Sequence, residues 1–260
     1  MTTKNILKKI PPLKIAIIAY KSIRNKYGFI EKCLAFVSFL GDYRKYKKLP
    51  KNKNLILKTE DLYPRVFDNT GTTPIDPVYF YQDAWLAKKI FEARPLHHFD
   101  VGSHVPTIGI LSQFTPITMV DIRPLPISLP KLDFVEADIT NLPFTKDSIS
   151  SLSSICVIEH IGLGRYGDPL DQLGTEKAAS ELSRVLAKNG NLYISVPIDD
   201  SSRVYFNAHR AFTREYVIKL FDDLKLIEEK YVYGNNVYET YDSQRGFGTG
   251  LYHFSNEKNN

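Results

Sequence analysis

Apolar and polar positions alternate between residues 95 and 200 in short runs that have the length of strands. Five such runs occupy residues 97–101, 117–121, 132–136, 152–158 and 192–196. The clearest helical pattern covers residues 175–188, where apolar side chains recur on one face before the Asn189-Gly190 stop signal. Strands that alternate with helices predict a parallel sheet covered by helices on both faces.

The two ends of the chain differ from this central pattern. Toward the carboxyl terminus, residues 212–221 predict a helix, and residues 224–233 and 250–255 predict strands of an antiparallel edge hairpin. Toward the amino terminus, residues 13–27 and 29–46 predict two short helices, and residues 79–93 predict a third after a loop rich in Pro, Asp, Thr and Gly. We therefore expect a helical extension at 1–58, a linker and first helix at 59–94, and one main α/β domain at 95–260.

Basic residues are concentrated in the predicted extension. Residues 1–53 contain fourteen Lys or Arg but only two acidic residues, Glu31 and Asp42, in a chain whose formal net charge is +5. The segment is either a helical lid packed on the main domain or an interfacial helix whose apolar face and basic border contact an anionic membrane surface. The two roles are compatible, and both stay open.

Cysteine use and hydropathy indicate where the chain resides. Cys33 and Cys156 lie far apart in apolar stretches, which gives neither a disulfide framework nor a thiolate metal cluster. No stretch reaches the ~18 apolar residues that a membrane span needs. We expect a cytoplasmic protein, with residues 1–58 as a potential peripheral contact to the inner face of the membrane.

Small and acidic residues follow the first three predicted strands. Ligands of a doubly wound sheet bind beyond the carboxyl ends of its strands, so these residues are candidates for a cofactor site. The first strand ends at Asp100, which could face a positive group of the ligand, and a glycine follows that allows a tight turn. Asp121 comes 21 residues later, close to the ~20 expected of a carboxylate that binds ribose hydroxyls. The predicted cofactor-binding residues are Asp100, Gly102, Ser103, Asp121, Ile122, Asp138 and Ile139.

The turn after the first strand argues against a nicotinamide dinucleotide. Such a cofactor uses a G-x-G-x-x-G turn to bring backbone amides against its pyrophosphate. Here the turn reads Gly102-Ser103-His104-Val105-Pro106, so the second and third glycines are missing. A cofactor that has no phosphate and carries a cationic sulfonium suits this acid-lined site better.

Several segments resemble class I S-adenosylmethionine-dependent methyltransferases: DVGS, MVDIR, EADIT, LPF and SSICVIEHI. The segments HFDVGSH, VDIRPL, EHIGLGRYGDPLDQLG, RVLAKNGNLYISVP and FNAHRAF are more closely similar to an uncharacterised methyltransferase-like family encoded among bacterial surface-polysaccharide genes. The likeness covers roughly residues 95–255. His104 departs from the broader class, which has a glycine at that position.

The resemblance implies a Rossmann-like α/β fold, with a mostly parallel seven-stranded sheet whose last strand is antiparallel. It implies S-adenosylmethionine as cofactor and O-methylation of a sugar or glycan intermediate in bacterial surface polysaccharide biosynthesis. By the same resemblance, Asp100, Gly102 and Ser103 line the methionine end of the cofactor, Asp121 binds the ribose, and residues 138–139 bind the adenine.

The fourth predicted strand leads into candidates for the chemistry of transfer to a hydroxyl. Glu159, His160 and His209 are the predicted catalytic residues, and His160 is the first choice as general base because its ordinary pKa suits proton removal near neutrality. The alternative is that His160 ties the following loop to the strand through hydrogen bonds.

The glycine-spaced loop 162–169 and the segment FNAHRAF lie where an acceptor would enter. Arginine offers a forked donor array for carboxylates and phosphates, whereas the alternative for 209–210 is a tie at the start of the next helix. The predicted substrate-binding residues are Arg165, Tyr166, Asp168, His209 and Arg210.

Other functions are weaker alternatives. Glu159, His160, Asp168 and His209 could gather a divalent metal, but no tight ligand spacing supports this, and we expect no metal. The expected partner is a small-molecule or glycan acceptor rather than nucleic acid, because the fourth strand lacks an Asn-Pro-Pro-Tyr type of motif. A non-catalytic cofactor-binding or scaffold protein of a glycan assembly complex stays open, since the glycine turn is incomplete.

Overall fold

The computed structural model describes residues 28–257 of the chain. The chain divides into two compact units, residues 1–74 and 75–260. In the first unit, helix α1 (Phe29–Tyr46) is observed with the bounds predicted for it, and Glu31 Oε2 accepts a hydrogen bond from the Gly28 amide at its start. The helix predicted at 13–27 lies outside the described residues. The division at residue 74 falls inside the segment predicted as a linker.

The second unit contains four helices among its described residues: α2 (Pro77–Ala93), α3 (Val105–Leu111), α4 (Gly174–Val185) and α5 (Arg214–Leu220). Helix α2 starts where Asp76 accepts from the amides of Val78 and Tyr79, and Pro77 occupies the first helical turn. None of the helices within residues 28–257 combines the length and apolar character needed to cross a bilayer.

Eight strands form the main sheet in the order β3-β2-β1-β4-β5-β10-β8-β9. Strands β1 to β5 run parallel, and β10 is antiparallel to both of its neighbours. Strands β6 and β7 pair separately as a hairpin after β5. The strands are β1 (His98–Val101), β2 (Ile117–Asp121), β3 (Leu132–Glu136), β4 (Ile149–Ile155), β5 (Leu186–Ile198), β6 (Arg203–Tyr205), β7 (His209–Ala211), β8 (Lys225–Tyr233), β9 (Asn236–Tyr238) and β10 (Gly248–Ser255).

The predicted Rossmann-like α/β fold is confirmed, with a mostly parallel sheet and an antiparallel last strand. The sheet differs from the prediction in having an eighth strand, β9, at its edge. Strand β10 is interior rather than at an edge, because it pairs with β5 on one side and β8 on the other. Its side chains Leu251, Tyr252 and Phe254 are consequently almost fully buried.

Two element boundaries in the centre of the chain were predicted wrongly. Strand β4 ends at Ile155 instead of residue 158, because Cys156 has a left-handed φ of 53° and a 3-10 turn (Ile158–His160) follows. Helix α4 ends at Val185, and β5 starts at Leu186 without a loop. Residues 186–188 therefore belong to a strand although their apolar spacing continues that of the helix.

Hydrophobic clusters lie on both faces of the sheet. Alternation along β5 places Leu192 and Ile194 in the cluster that contains the apolar face of α4, and Tyr193 in the cluster that contains Trp85 of α2. The sheet is thus the middle of three layers. This arrangement leaves the carboxyl ends of β1 to β4 free to form a site.

Candidate functional site

A cleft opens at the carboxyl ends of the parallel strands. The chain leaves β1 toward β2 on one side, while β4 and β5 lie on the other, so the strand order reverses between β1 and β4. Such a switch point leaves a crevice above the sheet. The space inside the cleft, counted together with its open mouth, is about 920 Å³.

Gly102 forms the tight turn after β1 and lines the cleft. Its φ is +73°, and its amide donates to the carbonyl of Val120 at 2.8 Å. A Cβ at this position would lie 2.9 Å from Cγ1 of Val157, closer than real Cβ contacts permit. A glycine is therefore required both by the backbone conformation and by the space available.

Asp100 braces this turn from below. Its Oδ1 accepts from the Ser103 amide at 3.1 Å, and its Oδ2 accepts from the hydroxyls of Ser103 at 2.6 Å and Ser153 at 2.5 Å. Asp100 is fully buried, and burial raises its pKa to about 6. The structure places Asp100 and Ser103 outside the lining of the cleft, so the contact predicted between them and a cofactor could only be indirect, through the turn.

A buried histidine extends the same polar network. His98 Nδ1 lies 2.8 Å from the Ser151 hydroxyl, and its Nε2 lies 2.9 Å from the hydroxyl of Ser153. Burial lowers the pKa of His98 to about 3, so the ring is neutral at neutral pH. His98 lies within the first predicted strand, and the structure makes it a support of Asp100 through Ser153.

Asp121 lies at the end of β2 and lines the cleft together with Ile122. Its Oδ1 accepts from the Arg123 amide at 2.9 Å and from Nε at 3.0 Å, and its Oδ2 accepts from Nη2 at 2.9 Å. The Arg123 guanidinium also lies over the ring of Tyr166, 4.6 Å from its centroid. A ligand hydroxyl at Asp121 would share the carboxylate with Arg123, since each carboxylate oxygen has about two acceptor sites.

Asp138 and Ile139 line the cleft after β3. Asp138 Oδ1 accepts from both the amide and the hydroxyl of Thr140, each at 2.8 Å. Among the described residues Asp138 Oδ2 has no hydrogen-bond partner, and the neighbouring Ile139 is 3% exposed. An oxygen acceptor and an apolar surface therefore lie side by side.

The loop from Gly162 to Asp171 forms one rim of the cleft and is folded by Asp168. Its Oδ2 accepts from the amides of Gly162 at 2.7 Å and Gly164 at 3.3 Å, and its Oδ1 accepts from the Tyr166 amide at 3.2 Å. Asp168 and Tyr166 line the cleft, as their predicted role requires. The carboxylate of Asp168, however, is already occupied by the loop.

Arg210 holds this loop from the interior. The side chain donates to the carbonyls of Ile161 at 2.5 Å and Asp171 at 3.1 Å and to the Thr175 hydroxyl at 3.3 Å. Arg210 is 7% exposed and does not line the cleft. The interpretation of Arg210 as a binder of anionic substrate is therefore corrected: its donors are used by the protein, and it fixes the loop.

His160 lines the cleft and has both ring nitrogens directed at protein groups. Its Nδ1 lies 2.8 Å from the carbonyl of Ala208, so this carbonyl selects the tautomer that carries hydrogen on Nδ1. Nε2 lies 3.6 Å from Glu159 Oε1. Burial and the nearby Arg165 lower the pKa of His160 to about 4, so the ring is neutral at neutral pH.

Glu159 lies behind His160 and outside the lining of the cleft. The side chain is 1% exposed, and burial raises its pKa to about 8. Its Oε2 has no hydrogen-bond partner among the described residues. A neutral carboxylic acid therefore lies beside the imidazole. Because the Glu159 side chain is buried, it does not contact a substrate directly in this conformation.

His209 and Arg165 lie at the rim rather than in the cleft lining. His209 is in β7, and its ring is 5.1 Å from that of Tyr205 and 5.5 Å from that of Phe247. Arg165 Nη1 donates to the Ala208 carbonyl at 2.8 Å. The four proposed metal ligands do not converge: within residues 28–257, no group of three or more His, Cys, Asp or Glu is arranged to hold a metal ion.

Some residues of the cleft have no signal in the sequence. Arg123 could have been suspected from its place two residues after a strand-end acid, but Cys156, Asp171 and Lys177 come from segments that only the folded loop brings together. Lys177 Nζ pairs with Asp171 Oδ2 at 2.5 Å, so this part of the rim is electrically balanced.

A family model described as a Caenorhabditis protein of unknown function, DUF268, matches residues 128–241. No curated protein sequence gives a significant match.

Solved structures share the architecture at low sequence identity. A putative sarcosine dimethylglycine methyltransferase from Galdieria sulphuraria is 13% identical, with a TM-score of 0.51 over 68% of this chain and 86% of that one. The N-methyltransferase NodS from Bradyrhizobium japonicum WM9 is 14% identical, with a TM-score of 0.51 over 74% of this chain and 100% of that one. The (4+2) cyclase SpnF is 11% identical, with a TM-score of 0.50 over 67% and 81% of the two chains. These similarities show that the chain has the Rossmann-like fold of class I methyltransferases.

Proposed function

We propose that the protein is an S-adenosylmethionine-dependent methyltransferase. The observation that carries the proposal is the cleft at the switch point, where Gly102, Asp121 and Asp138 follow three adjacent parallel strands. The methyltransferases of the same fold agree with it, although SpnF is a reminder that one fold hosts several reactions.

The residues of the cleft suit this cofactor. The backbone at Gly102 allows close approach of the methionine end, Asp121 can accept from ribose hydroxyls, and Asp138 with Ile139 offers an acceptor and an apolar surface to adenine. The turn lacks the glycines that a pyrophosphate needs, which disfavours a dinucleotide. When bound, S-adenosylmethionine supplies an electrophilic methyl group on a sulfonium.

The side chains of the rim would position the acceptor and remove the proton of its hydroxyl. Methyl transfer is an in-line displacement at the methyl carbon, so the lone pair of the acceptor must be aligned with that carbon, and most of the gain from the protein is orientation. His160 is neutral and held by Ala208, so Nε2 carries a lone pair that could take the proton of a hydroxyl acceptor, although a pKa of about 4 makes this ring a weaker base than an ordinary histidine. Because Nε2 is directed toward Glu159, the ring must turn slightly to reach an acceptor in the cleft.

We further propose O-methylation of a sugar or glycan intermediate of bacterial surface polysaccharide as the reaction. This part is supported by the sequence resemblance alone. The reaction would occur in the cytoplasm, with residues 1–58 touching the inner face of the membrane. Exposed apolar side chains on α1, at Ile30, Leu34 and Val37, favour that contact. Cosedimentation of the full chain with anionic vesicles should fall on replacing Leu34 by glutamate, and unchanged cosedimentation would refute the contact.

A non-catalytic, cofactor-binding or scaffold role is the second candidate. Its supporting observations are His104 in place of a glycine and the lowered pKa of His160, which makes the ring a weak base. Incubation with S-adenosylmethionine carrying a labelled methyl group and a panel of sugars distinguishes the two. Label on a sugar, lost on replacing Asp121 by asparagine, supports the enzyme; cofactor binding without label on any sugar supports the scaffold.

A further inference from the structure

Arg165 is a cation at the rim of the cleft that lacks a counter-ion. The other rim cations are neutralised, since Arg123 pairs with Asp121 and Lys177 pairs with Asp171. Within residues 28–257, no carboxylate lies within 4 Å of the Arg165 guanidinium. The side chain is exposed, so its charge is available to a ligand.

The guanidinium of Arg165 is nevertheless held in place. Its Nη1 donates to the Ala208 carbonyl at 2.8 Å, and its plane lies near the ring of Tyr166, 5.0 Å from the centroid. In the described part of the chain, Nε and Nη2 have no hydrogen-bond partner. A fixed guanidinium with free donors suits bidentate binding of a carboxylate or phosphate.

Three aromatic rings lie beside this arginine, on and near the hairpin of β6 and β7. Tyr205, His209 and Phe247 contact one another, with centroid distances of 5.1, 5.5 and 6.3 Å, and we call them the ring cluster. Phe247 is 50% exposed. His209 directly follows Ala208, whose carbonyl accepts from both Arg165 and His160, the latter a residue of the cleft lining.

Several titratable groups lie around this surface. Burial, and after it the positive charge of Arg165, lowers the pKa of His209. The imidazoles of His209 and His160 are therefore both neutral at neutral pH. The carboxylates nearby have other partners: Asp199 accepts from the Tyr205 hydroxyl, and Asp200 pairs with Arg203. The carboxylate of Asp168 is occupied by loop amides. Asp168 and Asp199 keep their negative charges, so what distinguishes Arg165 is a guanidinium with no carboxylate within 4 Å among the described residues.

We propose that Arg165 and the ring cluster form an acceptor subsite for a pyranose that carries a carboxylate or a phosphate. A pyranose has an apolar face of C–H groups, which packs on aromatic rings, and a polar edge. The anionic group pairs with the Arg165 fork while the apolar face of the sugar lies on Tyr205 and Phe247. A neutral sugar would leave the guanidinium unused, and a free phosphate would leave the rings unused. This inference names the substrate class of the proposed function and rests on it.

Titration of the full chain with four probes tests the subsite. S-adenosylhomocysteine is titrated first, and glucuronate, glucose 6-phosphate, glucose and inorganic phosphate are then titrated into the complex. We expect the two anionic sugars to bind at least about 10-fold more tightly than glucose or phosphate. One charge-assisted bidentate contact supplies a gain in affinity of this size. The tighter of the two anionic sugars identifies the anionic group.

Variants distinguish this subsite from general charge attraction. Arg165→Gln should lower affinity for both anionic sugars about 10-fold and leave glucose unchanged. Phe247→Ala should weaken the sugars but not phosphate. Arg94→Gln is the matched control, because Arg94 is an arginine that precedes β1 and so lies at the opposite, amino-terminal edge of the sheet. Its affinities should equal those of the wild type.

Equal affinity for glucose and the anionic sugars, or equal effects of Arg165→Gln and Arg94→Gln, would overturn the subsite. Absence of S-adenosylhomocysteine binding is a separate result that overturns the proposed function. In that case the sugar titrations on the uncomplexed chain still decide whether Arg165 recognises an anionic pyranose.

Discussion

Replacing Glu159 by glutamine should change how the stability of the protein depends on pH. Glu159 is buried, and its pKa is raised from 4.5 to about 8. The folded protein therefore holds this proton more tightly than the unfolded chain does. Stability from this group is fully present below pH 4.5 and is lost as pH rises toward 8. Glutamine has the same shape, stays neutral and has no such proton to lose.

The size of the effect follows from the shift. The rise from 4.5 to about 8 corresponds to about 5 kcal/mol in all, at about 1.4 kcal/mol for each pKa unit. The part of this range between pH 5 and pH 8 amounts to about 3 kcal/mol. The wild type should therefore lose about 3 kcal/mol of unfolding free energy relative to Glu159→Gln across that interval. Contributions from the buried histidines cancel in the difference.

Urea unfolding measures this difference through the only tryptophan of the chain. Trp85 is 7% exposed and its indole donates to Glu228 at 3.0 Å, so its fluorescence should report loss of the core. Glu215→Gln, which removes an exposed carboxylate from α5, is the control for a change in net charge. A difference between wild type and Glu159→Gln that stays constant from pH 5 to pH 8 would refute the reasoning.

Two further substitutions test the loop at the rim. Gly162→Ala should lower the unfolding free energy by about 1–3 kcal/mol, because the φ of Gly162 is +83° and a Cβ would lie 1.9 Å from the Asp171 carbonyl oxygen. Urea unfolding measures this loss, and a variant as stable as the wild type would contradict the prediction. Arg210→Ala should cost about 1–3 kcal/mol, because it leaves the part-buried carbonyl of Ile161 and the Thr175 hydroxyl without a donor, and the Asp171 carbonyl with only the Gly174 amide. Hydrogen exchange should then accelerate in residues 161–173, and unchanged exchange there would show that Arg210 does not hold the loop.

The order of elements could be predicted from sequence because it depends on local periodicity. The errors occur where the periodicity continues across a break in the backbone. The apolar run through Ile158 hides the left-handed Cys156, and the apolar spacing beyond Val185 hides the direct change from helix to strand. Strand β9 was missed because its three residues are too few to show alternation.

The candidate site was predicted in part for a related reason. Strand ends can be read from sequence, and Asp121 and Asp138 at two of them do line the cleft. Sequence does not give the direction of a side chain, so the buried Asp100 and Glu159 could not be distinguished from residues that face the cleft. The role of Arg210 depends on partners 35 to 49 residues away, which no local pattern indicates.

Calorimetric titration with S-adenosylhomocysteine decides whether the cleft binds this cofactor. We expect saturable binding of one molecule per chain, weakened about 10-fold to 100-fold by Asp121→Asn, since a hydrogen bond to a charged group contributes about 1.5–3 kcal/mol. Asp133→Asn, at an exposed position of β3, should bind like the wild type. No heat of binding at saturating S-adenosylhomocysteine, or equal affinity of the wild type and Asp121→Asn, would contradict the account.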